Sequence, residues 1–163
     1  SYTDRIIVTS AFSKSMAITG FRVGYAVFPP ALVDAAQTRH MLVTVSGSRP
    51  AQRAVSDALE KTPPSYYASV RNTIRERIDT FTNALETIGA AYTEPEGAFY
   101  VMARFDDLPG TLENVEYLID EAGVAGMPGE AFGNAYDDWI RFSLCTDRIS
   151  IAGDRLMTFF QDN

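Results

Sequence analysis

Residues Ser10–Tyr25 read Ser-Ala-Phe-Ser-Lys-Ser-Met-Ala-Ile-Thr-Gly-Phe-Arg-Val-Gly-Tyr, and they contain Lys14, one of two lysines in a chain with twelve arginines. An arginine would form a salt bridge as well as a lysine, but only the lysine amine can lose its proton and condense with an aldehyde. Desolvation and a nearby cation such as Arg22 would favour the neutral amine. The sequence therefore predicts that Lys14 is an imine-forming residue.

The bulk composition is that of a globular protein, with 46% hydrophobic and 21% charged residues among 163. The net charge of −7 argues against a nucleic-acid or anionic-membrane partner. The sequence has no apolar run of the roughly 18 residues that span a bilayer. The single cysteine, Cys145, excludes an internal disulfide, and its apolar neighbours predict a buried thiol. A cytoplasmic protein is the expectation.

Short strands and helices are predicted before residue 62. Ile6–Thr9 is expected to form a short buried strand and Phe21–Phe28 a second one, with Lys14 between them. A proline in the first turn predicts a helix over Pro30–Met41. Ser46 or Ser48 is the expected N-cap of the next helix.

The strongest helical pattern lies in Val70–Ile88, where apolar residues recur every three or four positions, and Gly89 is placed to end that helix. A helix of about 24 residues is about 36 Å long, which suits either a connection between two lobes or a long core helix. Residues from about 90 onward alternate between strand and helix patterns and predict a small α/β layer. The predicted strands are Phe99–Phe105, Val124–Met127 and Trp139–Cys145, and the predicted helices are Leu112–Ala122, closed by Gly123, and Ile149–Phe159.

The lysine segment closely resembles the cofactor-lysine motif of the class I and II pyridoxal-phosphate aminotransferases, Ser-Lys-x-x-x-Met/Ile-Thr-Gly-x-Arg-x-Gly-Tyr. Three later segments are similar to those of the family in order and spacing, namely Pro95–Tyr100, Met127–Gly133 and Trp139–Cys145. The resemblance implies an α/β fold, the C-terminal part of a fold-type I enzyme. Residues 1–45 would end the large cofactor-binding domain, 46–90 would form connecting helices, and 91–163 would form the small domain.

The resemblance also assigns roles to three residues. Lys14 would form the internal aldimine with pyridoxal 5'-phosphate, and Arg22 would bind the cofactor phosphate through its guanidinium fork. Arg141 would bind the substrate α-carboxylate. Its neighbours Ile140 and Phe142 are apolar, which predicts a desolvated charge in need of an anionic partner, either a substrate carboxylate or a structural Asp or Glu.

Some details of the site stay open at this level. Many members of the family have a phosphate-binding serine where this sequence has Ala11, so that contact is unassigned. Phe12, Tyr25 and Phe132 are candidates either for the wall of the pocket or for the core. No metal site is predicted.

The function implied by the resemblance is amino-group transfer between an amino acid, aspartate or similar, and a 2-oxo acid, in a homodimer. A carbon–sulfur lyase of the same fold, or the aminotransferase-like effector domain of a transcription regulator, are the alternatives. The family's remaining cofactor contacts lie upstream of the lysine, so this chain alone is expected to be an inactive fragment.

Overall fold

The computed structural model describes residues 2–162, which divide into two compact units with the boundary between Tyr67 and Ala68. Each unit contains its own antiparallel sheet. No helix among the described residues is both long and apolar enough to cross a membrane. The boundary between the units falls within the longest helix of the chain.

The first unit contains a two-stranded sheet followed by helices. Strands β1 and β2 are antiparallel, with partners running from Val8↔Val27 to Ala11↔Gly24. A single 3-10 turn precedes β1, and a second lies between the strands. In order, the elements are the 3-10 turn Tyr2–Arg5, β1 Val8–Ala11, α1 Phe12–Ser15, the 3-10 turn Thr19–Phe21, β2 Gly24–Val27, α2 Pro30–Thr44, α3 Arg49–Lys61 and the start of α4, Pro64–Thr87.

The first predicted strand is wrong in position and in burial. It begins at Val8 rather than Ile6, and all four of its residues are exposed, as are Ile6 and Ile7. The second strand is shorter than predicted because Thr19–Phe21 forms a 3-10 turn. Apolar side chains become buried only where another layer covers them, and no residue of β1 or β2 is covered within this unit.

The predicted helix starts are confirmed. Pro30 begins α2, and the Ser48 hydroxyl accepts a hydrogen bond of 3.4 Å from the backbone N–H of Ala51, which caps α3. Although α2 is rich in apolar residues, none of its residues is buried. Near its C-terminal end, Leu42 and Val43 are 75% and 85% exposed.

The second unit contains a four-stranded antiparallel sheet in the order β3-β4-β6-β5. The central pair, β4 and β6, runs from Tyr100↔Ser143 to Arg104↔Trp139. This confirms the α/β layer that was predicted after residue 90. Its elements are β3 Ala91–Tyr92, β4 Tyr100–Arg104, α5 Leu112–Ala122, β5 Met127–Pro128, the 3-10 helices Gly129–Phe132 and Asn134–Tyr136, β6 Trp139–Ser143 and α6 Ile149–Asp162.

One face of this sheet forms the core. Alternate residues of β4 and β6 are buried on that face because successive strand residues point to opposite sides. They pack against α4, where the rings of Phe81 and Phe142 are 5.2 Å apart. Arg77 of α4 also donates a 3.3 Å hydrogen bond from Nη1 to the carbonyl of Leu144, just beyond β6. The main buried residues are Phe81, Leu85, Val101, Ala103, Leu118, Ile140, Phe142, Leu144 and Leu156.

Glycine closes two helices as predicted. Gly89, two residues after the end of α4, has φ of 73°, and Gly123 has φ of 65° at the end of α5, both in the left-handed region that favours glycine. The prediction of a buried Cys145 thiol is wrong, since Cys145 is exposed. It follows buried Leu144 and lies beyond the end of β6, where apolar neighbours in sequence no longer imply burial.

Candidate functional site

Lys14 lies on the short helix α1, within the connection between β1 and β2. The backbone N–H of Phe12 donates to the carbonyl of Val23 at 3.1 Å and closes that connection at its base. Lys14 is two residues from one end of the closed loop, and Arg22 is one residue from the other. The side chains of both Lys14 and Arg22 are exposed. The fold therefore holds an amine and a guanidinium in one short loop.

Arg22 has an uncommon backbone conformation, with φ of 54° and ψ of 41°. This is the left-handed region, which costs a residue with a Cβ about 1–2 kcal/mol. The guanidinium donates from Nη1 to the carbonyl of Thr19 at 3.1 Å. Ala17, in the same loop, also has φ of 54°. Two residues of this loop are thus held in a strained conformation, which is a feature found at functional sites.

The glycines of the loop do not adopt the left-handed conformation. Neither Gly20 nor Gly24 has a positive φ, and a Cβ on Gly20 would meet nothing within 4 Å. A Cβ on Gly24 would lie 2.8 Å from the carbonyl oxygen of Ser10 on the paired strand. Gly24 therefore allows the close approach of β1 and β2 at the base of the loop.

Aromatic rings pack at the base of the same loop. The ring of Phe12 lies 5.4 Å from that of Tyr25, centre to centre, and the pair is tilted by 37°. Phe12 is half-buried and Tyr25 is exposed, so neither residue belongs to a closed core. Met16 is the one buried apolar residue between Phe12 and Phe21, and its backbone N–H donates to the carbonyl of Phe12 at 3.1 Å.

Arg141 belongs to the second unit, on β6, and it lies on the face of the sheet opposite the core. Its guanidinium carbon Cζ is 4.3 Å from the ring centre of Tyr100 and 4.6 Å from that of Phe132. Distances of this size allow cation–π attraction. Tyr100 comes from β4 on one side of β6, and Phe132 follows β5 on the other side. Arg141 is therefore approached by aromatic rings from both sides of β6.

The predicted reason for the burial of Arg141 is wrong. Ile140 and Phe142 point into the core on the other face, since adjacent residues of a strand alternate. The half-burial of Arg141 comes from Tyr100 and Phe132 instead. Sequence reasoning did not assign Tyr100, although its position opposite Ser143, two residues beyond Arg141, places it on the same face of the sheet.

No carboxylate lies within 4 Å of the Arg141 guanidinium among residues 2–162 as far as they are described. The structural Asp or Glu that was considered as its partner is therefore not found in that part of the chain. Arg104, on the same face of the sheet, lies 5.5 Å from the ring centre of Trp139 and is exposed. Arg141 thus differs from Arg104 in being half-buried beside two rings.

The grooves described in the second unit lie elsewhere. One is lined by α5 and α6, with Glu121, Asp154 and Arg155 at its edge. A second is lined by residues of α6 together with residues 123–125 and 142–143. Neither groove includes a residue that was predicted to act in the site.

A family model and individual relatives both match this chain, and they indicate the same family. Residues 1–150 match the model of the family described as aminotransferase class I and II. The chain is 34% identical over 158 residues to an aspartate aminotransferase of Thermotoga maritima, covering 96% of this chain and 40% of that protein. It is 30% identical over 132 residues to a methionine aminotransferase of Escherichia coli, covering 79% and 34%.

The same relationship is seen in three dimensions. The fold is similar to the crystal structure of an aromatic aminotransferase from Pyrococcus horikoshii, with a TM-score of 0.86 and 28% identity, over 98% of this chain and 44% of that one. The chain spans less than half the length of each of these relatives. The matches confirm the resemblance that was drawn from the lysine motif and the predicted α/β fold.

Proposed function

The chain belongs to the class I and II aminotransferases, and from that membership we propose that the protein transfers an amino group between an amino acid and a 2-oxo acid, with pyridoxal 5'-phosphate as cofactor. The observation that carries the proposal is the closed loop between β1 and β2, which holds both Lys14 and Arg22. The relatives supply the reaction class, and the loop supplies the two functional groups.

The donor set of this loop fits the cofactor. An aldehyde needs a primary amine, and a phosphate needs a cation with several N–H donors, which are the groups that Lys14 and Arg22 carry. When bound, the cofactor would act as an electron sink for the substrate α-carbon. Lys14 would hold the cofactor aldehyde, and Arg22 would bind the phosphate in exchange for its present hydrogen bond to Thr19.

Lys14 would also move the proton of the reaction. Lys14 is exposed on a short helix, and once its amine is neutral it would take a proton from the substrate α-carbon and return it elsewhere. The only other lysine, Lys61, lies in the last turn of α3 and outside this loop. Lys14 is therefore the proposed catalytic base and acid.

Arg141 would bind the α-carboxylate of the substrate. Its guanidinium is half-buried against two aromatic rings and has no carboxylate within salt-bridge distance in the described part of the chain. A cation in that setting is stabilised by an anion that forms two parallel N–H···O bonds. The substrate carboxylate would supply that anion.

The proposal extends to the architecture and the substrate. Residues 1–45 are assigned to the end of a large domain, 46–90 to connecting helices and 91–163 to a small domain of a longer, cytoplasmic homodimer. Exposed apolar residues of the first unit, such as Leu42, Val43 and Val45, suit a surface that further protein covers.

Aspartate or a similar amino acid is the proposed donor, since relatives are named for aspartate, methionine and aromatic amino acids.

The full-length protein tests this proposal. We expect glutamate to form from an amino-acid donor only when 2-oxoglutarate is present, and we expect Lys14→Arg to abolish the turnover. Lys61→Arg is the matched control and should leave turnover unchanged, since it exchanges the other lysine. Retained activity in Lys14→Arg would refute the assignment of Lys14. Release of pyruvate and ammonia without a 2-oxo acid would identify a carbon–sulfur lyase instead.

A further inference from the structure

The loop that carries Phe132 is fixed by contacts away from Phe132 itself. Phe132 is 42% exposed, so core packing does not hold its ring beside Arg141. The preceding Gly129 is buried, and a Cβ there would collide with the carbonyl oxygens of Tyr136 and Trp139. The start of the 3-10 helix Gly129–Phe132 therefore packs closely against the backbone of Tyr136 and Trp139.

Glu130 provides the second attachment of this loop. Its Oε1 accepts a 2.9 Å hydrogen bond from the backbone N–H of Leu112, the first residue of α5. Its own N–H donates to the carbonyl of Gly110 at 3.4 Å. A carboxylate at a helix N-terminus satisfies a free N–H group and interacts favourably with the helix dipole. Glu130 thus binds the 3-10 helix to α5 across 18 residues of sequence.

The same helix end has a second cap that does not involve the loop. The Thr111 hydroxyl accepts a 3.3 Å hydrogen bond from the backbone N–H of Asn114. Thr111 and Glu130 therefore both stabilise the start of α5, but only Glu130 also holds the segment that leads to Phe132. A comparison of variants at Thr111 and Glu130 can therefore distinguish the effect of losing a helix cap from the effect of losing the attachment of the Phe132 loop.

We propose that Glu130 is a positioning residue that acts through Phe132. By binding the start of α5, Glu130 fixes the 3-10 helix Gly129–Phe132 and so holds the Phe132 ring beside the Arg141 guanidinium. The ring and Tyr100 together limit the rotation of Arg141 and present its N–H groups to a planar carboxylate. The role in carboxylate recognition rests on the proposed function, whereas the hydrogen bond between Glu130 and Leu112 and the contact between Phe132 and Arg141 do not.

Side-chain NMR of the full-length protein labelled with 15N-arginine tests the positioning directly. The Arg141 Nε–H signal, assigned by its loss in Arg141→Lys, should be shifted by the ring currents of Tyr100 and Phe132. Phe132→Leu and Glu130→Ala should both move this signal toward the position of an exposed arginine. Glu130→Gln should restore the wild-type position, since its Oε1 can still accept from Leu112.

Thr111→Ala is the matched control for loss of a cap at the same helix. It should leave the Arg141 signal in place while it lowers the melting temperature. If Thr111→Ala moves the Arg141 signal as much as Glu130→Ala does, Glu130 merely stabilises α5 and the proposal is wrong. An unmoved signal in Glu130→Ala overturns it as well.

Kinetics of the same variants test the link to the substrate. Glu130→Ala and Phe132→Leu should raise KM for the amino-acid donor about threefold to fivefold with little change in kcat, a factor typical of a cation–π contact at a partly exposed site. An unchanged KM together with a moved NMR signal would reject the role in recognition. Absence of turnover in the wild type would instead overturn the proposed function and leave the NMR result standing.

Discussion

The guanidinium carbon Cζ of Arg141 on β6 lies 4.3 Å from the ring centre of Tyr100 on the neighbouring strand β4. The strand register accounts for this contact, because Arg141 pairs with Met102, and Tyr100 is the next residue of β4 on the same face. A cation–π contact contributes about 0.5–1 kcal/mol at an exposed site and leaves the N–H donors of the guanidinium available. Arg141 is thus held in place without using the groups that a carboxylate needs.

The first prediction compares two arginines of the same sheet face. Arg141→Lys should raise KM for the amino-acid donor about tenfold to a hundredfold, because hydrogen bonds to a charged group contribute about 1.5–3 kcal/mol and lysine cannot form a fork. Arg104→Lys is the control and should change KM less than about twofold, since that change removes less than about 0.5 kcal/mol at an exposed surface position. Equal effects of the two substitutions in steady-state kinetics would contradict the role of Arg141.

The second prediction concerns backbone strain in the lysine loop. Arg22 has a left-handed conformation, which costs a residue with a Cβ about 1–2 kcal/mol. Arg22→Gly removes this cost, and it also removes the hydrogen bond to Thr19. The free energy of unfolding should change by less than about 1 kcal/mol because these effects offset each other. The affinity for pyridoxal 5'-phosphate should fall, as measured by titration with the cofactor.

Ala17→Gly is the control for that variant. Ala17 has the same φ of 54° but no charged group, so the substitution relieves strain alone. The free energy of unfolding should rise by about 0.5 kcal/mol after the entropy cost of glycine is subtracted. Cofactor affinity should be unchanged. A fall in cofactor affinity equal to that in Arg22→Gly would mean that the loop conformation, and not the guanidinium, determines binding.

Much of the second unit could be predicted from the sequence because its elements bury apolar faces against one another. The helical stripe predicted α4, and Gly89 and Gly123 marked helix ends through the left-handed conformation that glycine adopts at low cost. The pattern of β6 predicted a strand, and its twofold alternation would also have separated Ile140 and Phe142 from Arg141.

Other features depend on contacts that no local pattern encodes. The hydrogen bond from Leu112 to Glu130 joins residues 18 positions apart. The left-handed conformation of Ala17 and Arg22 contradicts the preference of both residue types, so no local signal in the sequence predicts it. Ile6 and Val8 are exposed because no layer of the first unit covers them, and the apolar composition of a segment does not indicate whether such a layer exists.

The third prediction tests the close backbone packing at Gly129, which begins the 3-10 helix that carries Phe132. Gly129→Ala places a methyl group against the carbonyl oxygens of Tyr136 and Trp139, so the backbone must shift. The free energy of unfolding in a urea titration should fall by about 3 kcal/mol, as for an overpacked core. Gly97→Ala is the control, since a Cβ there meets nothing within 4 Å, and it should change stability by less than about 0.5 kcal/mol. A small effect at both positions would show that the loop relaxes freely.

The fourth prediction uses the contact between Tyr92 on β3 and the end of α4. The Tyr92 hydroxyl donates a 2.5 Å hydrogen bond to Oε1 of Glu86. This hydrogen bond is the main cause that raises the pKa of Tyr92 above its usual range, followed by desolvation and by the negative charges of Glu86 and Glu94. The phenol therefore keeps its proton in the folded protein at a pH where the unfolded chain has lost it.

Since the folded state then binds more protons than the unfolded state, stability must fall as pH rises. The contribution of Tyr92 is fully present below the tyrosine pKa of about 10 of the unfolded chain, and it is lost as pH rises from there through the higher pKa of the folded state. Urea titrations at alkaline pH should show a steeper loss of stability in the wild type than in Tyr92→Phe. Tyr117→Phe, which removes an exposed hydroxyl but keeps the ring against Phe159, should follow the wild type. Identical slopes for Tyr92→Phe and the wild type would mean that Glu86 does not stabilise the neutral phenol in the folded protein.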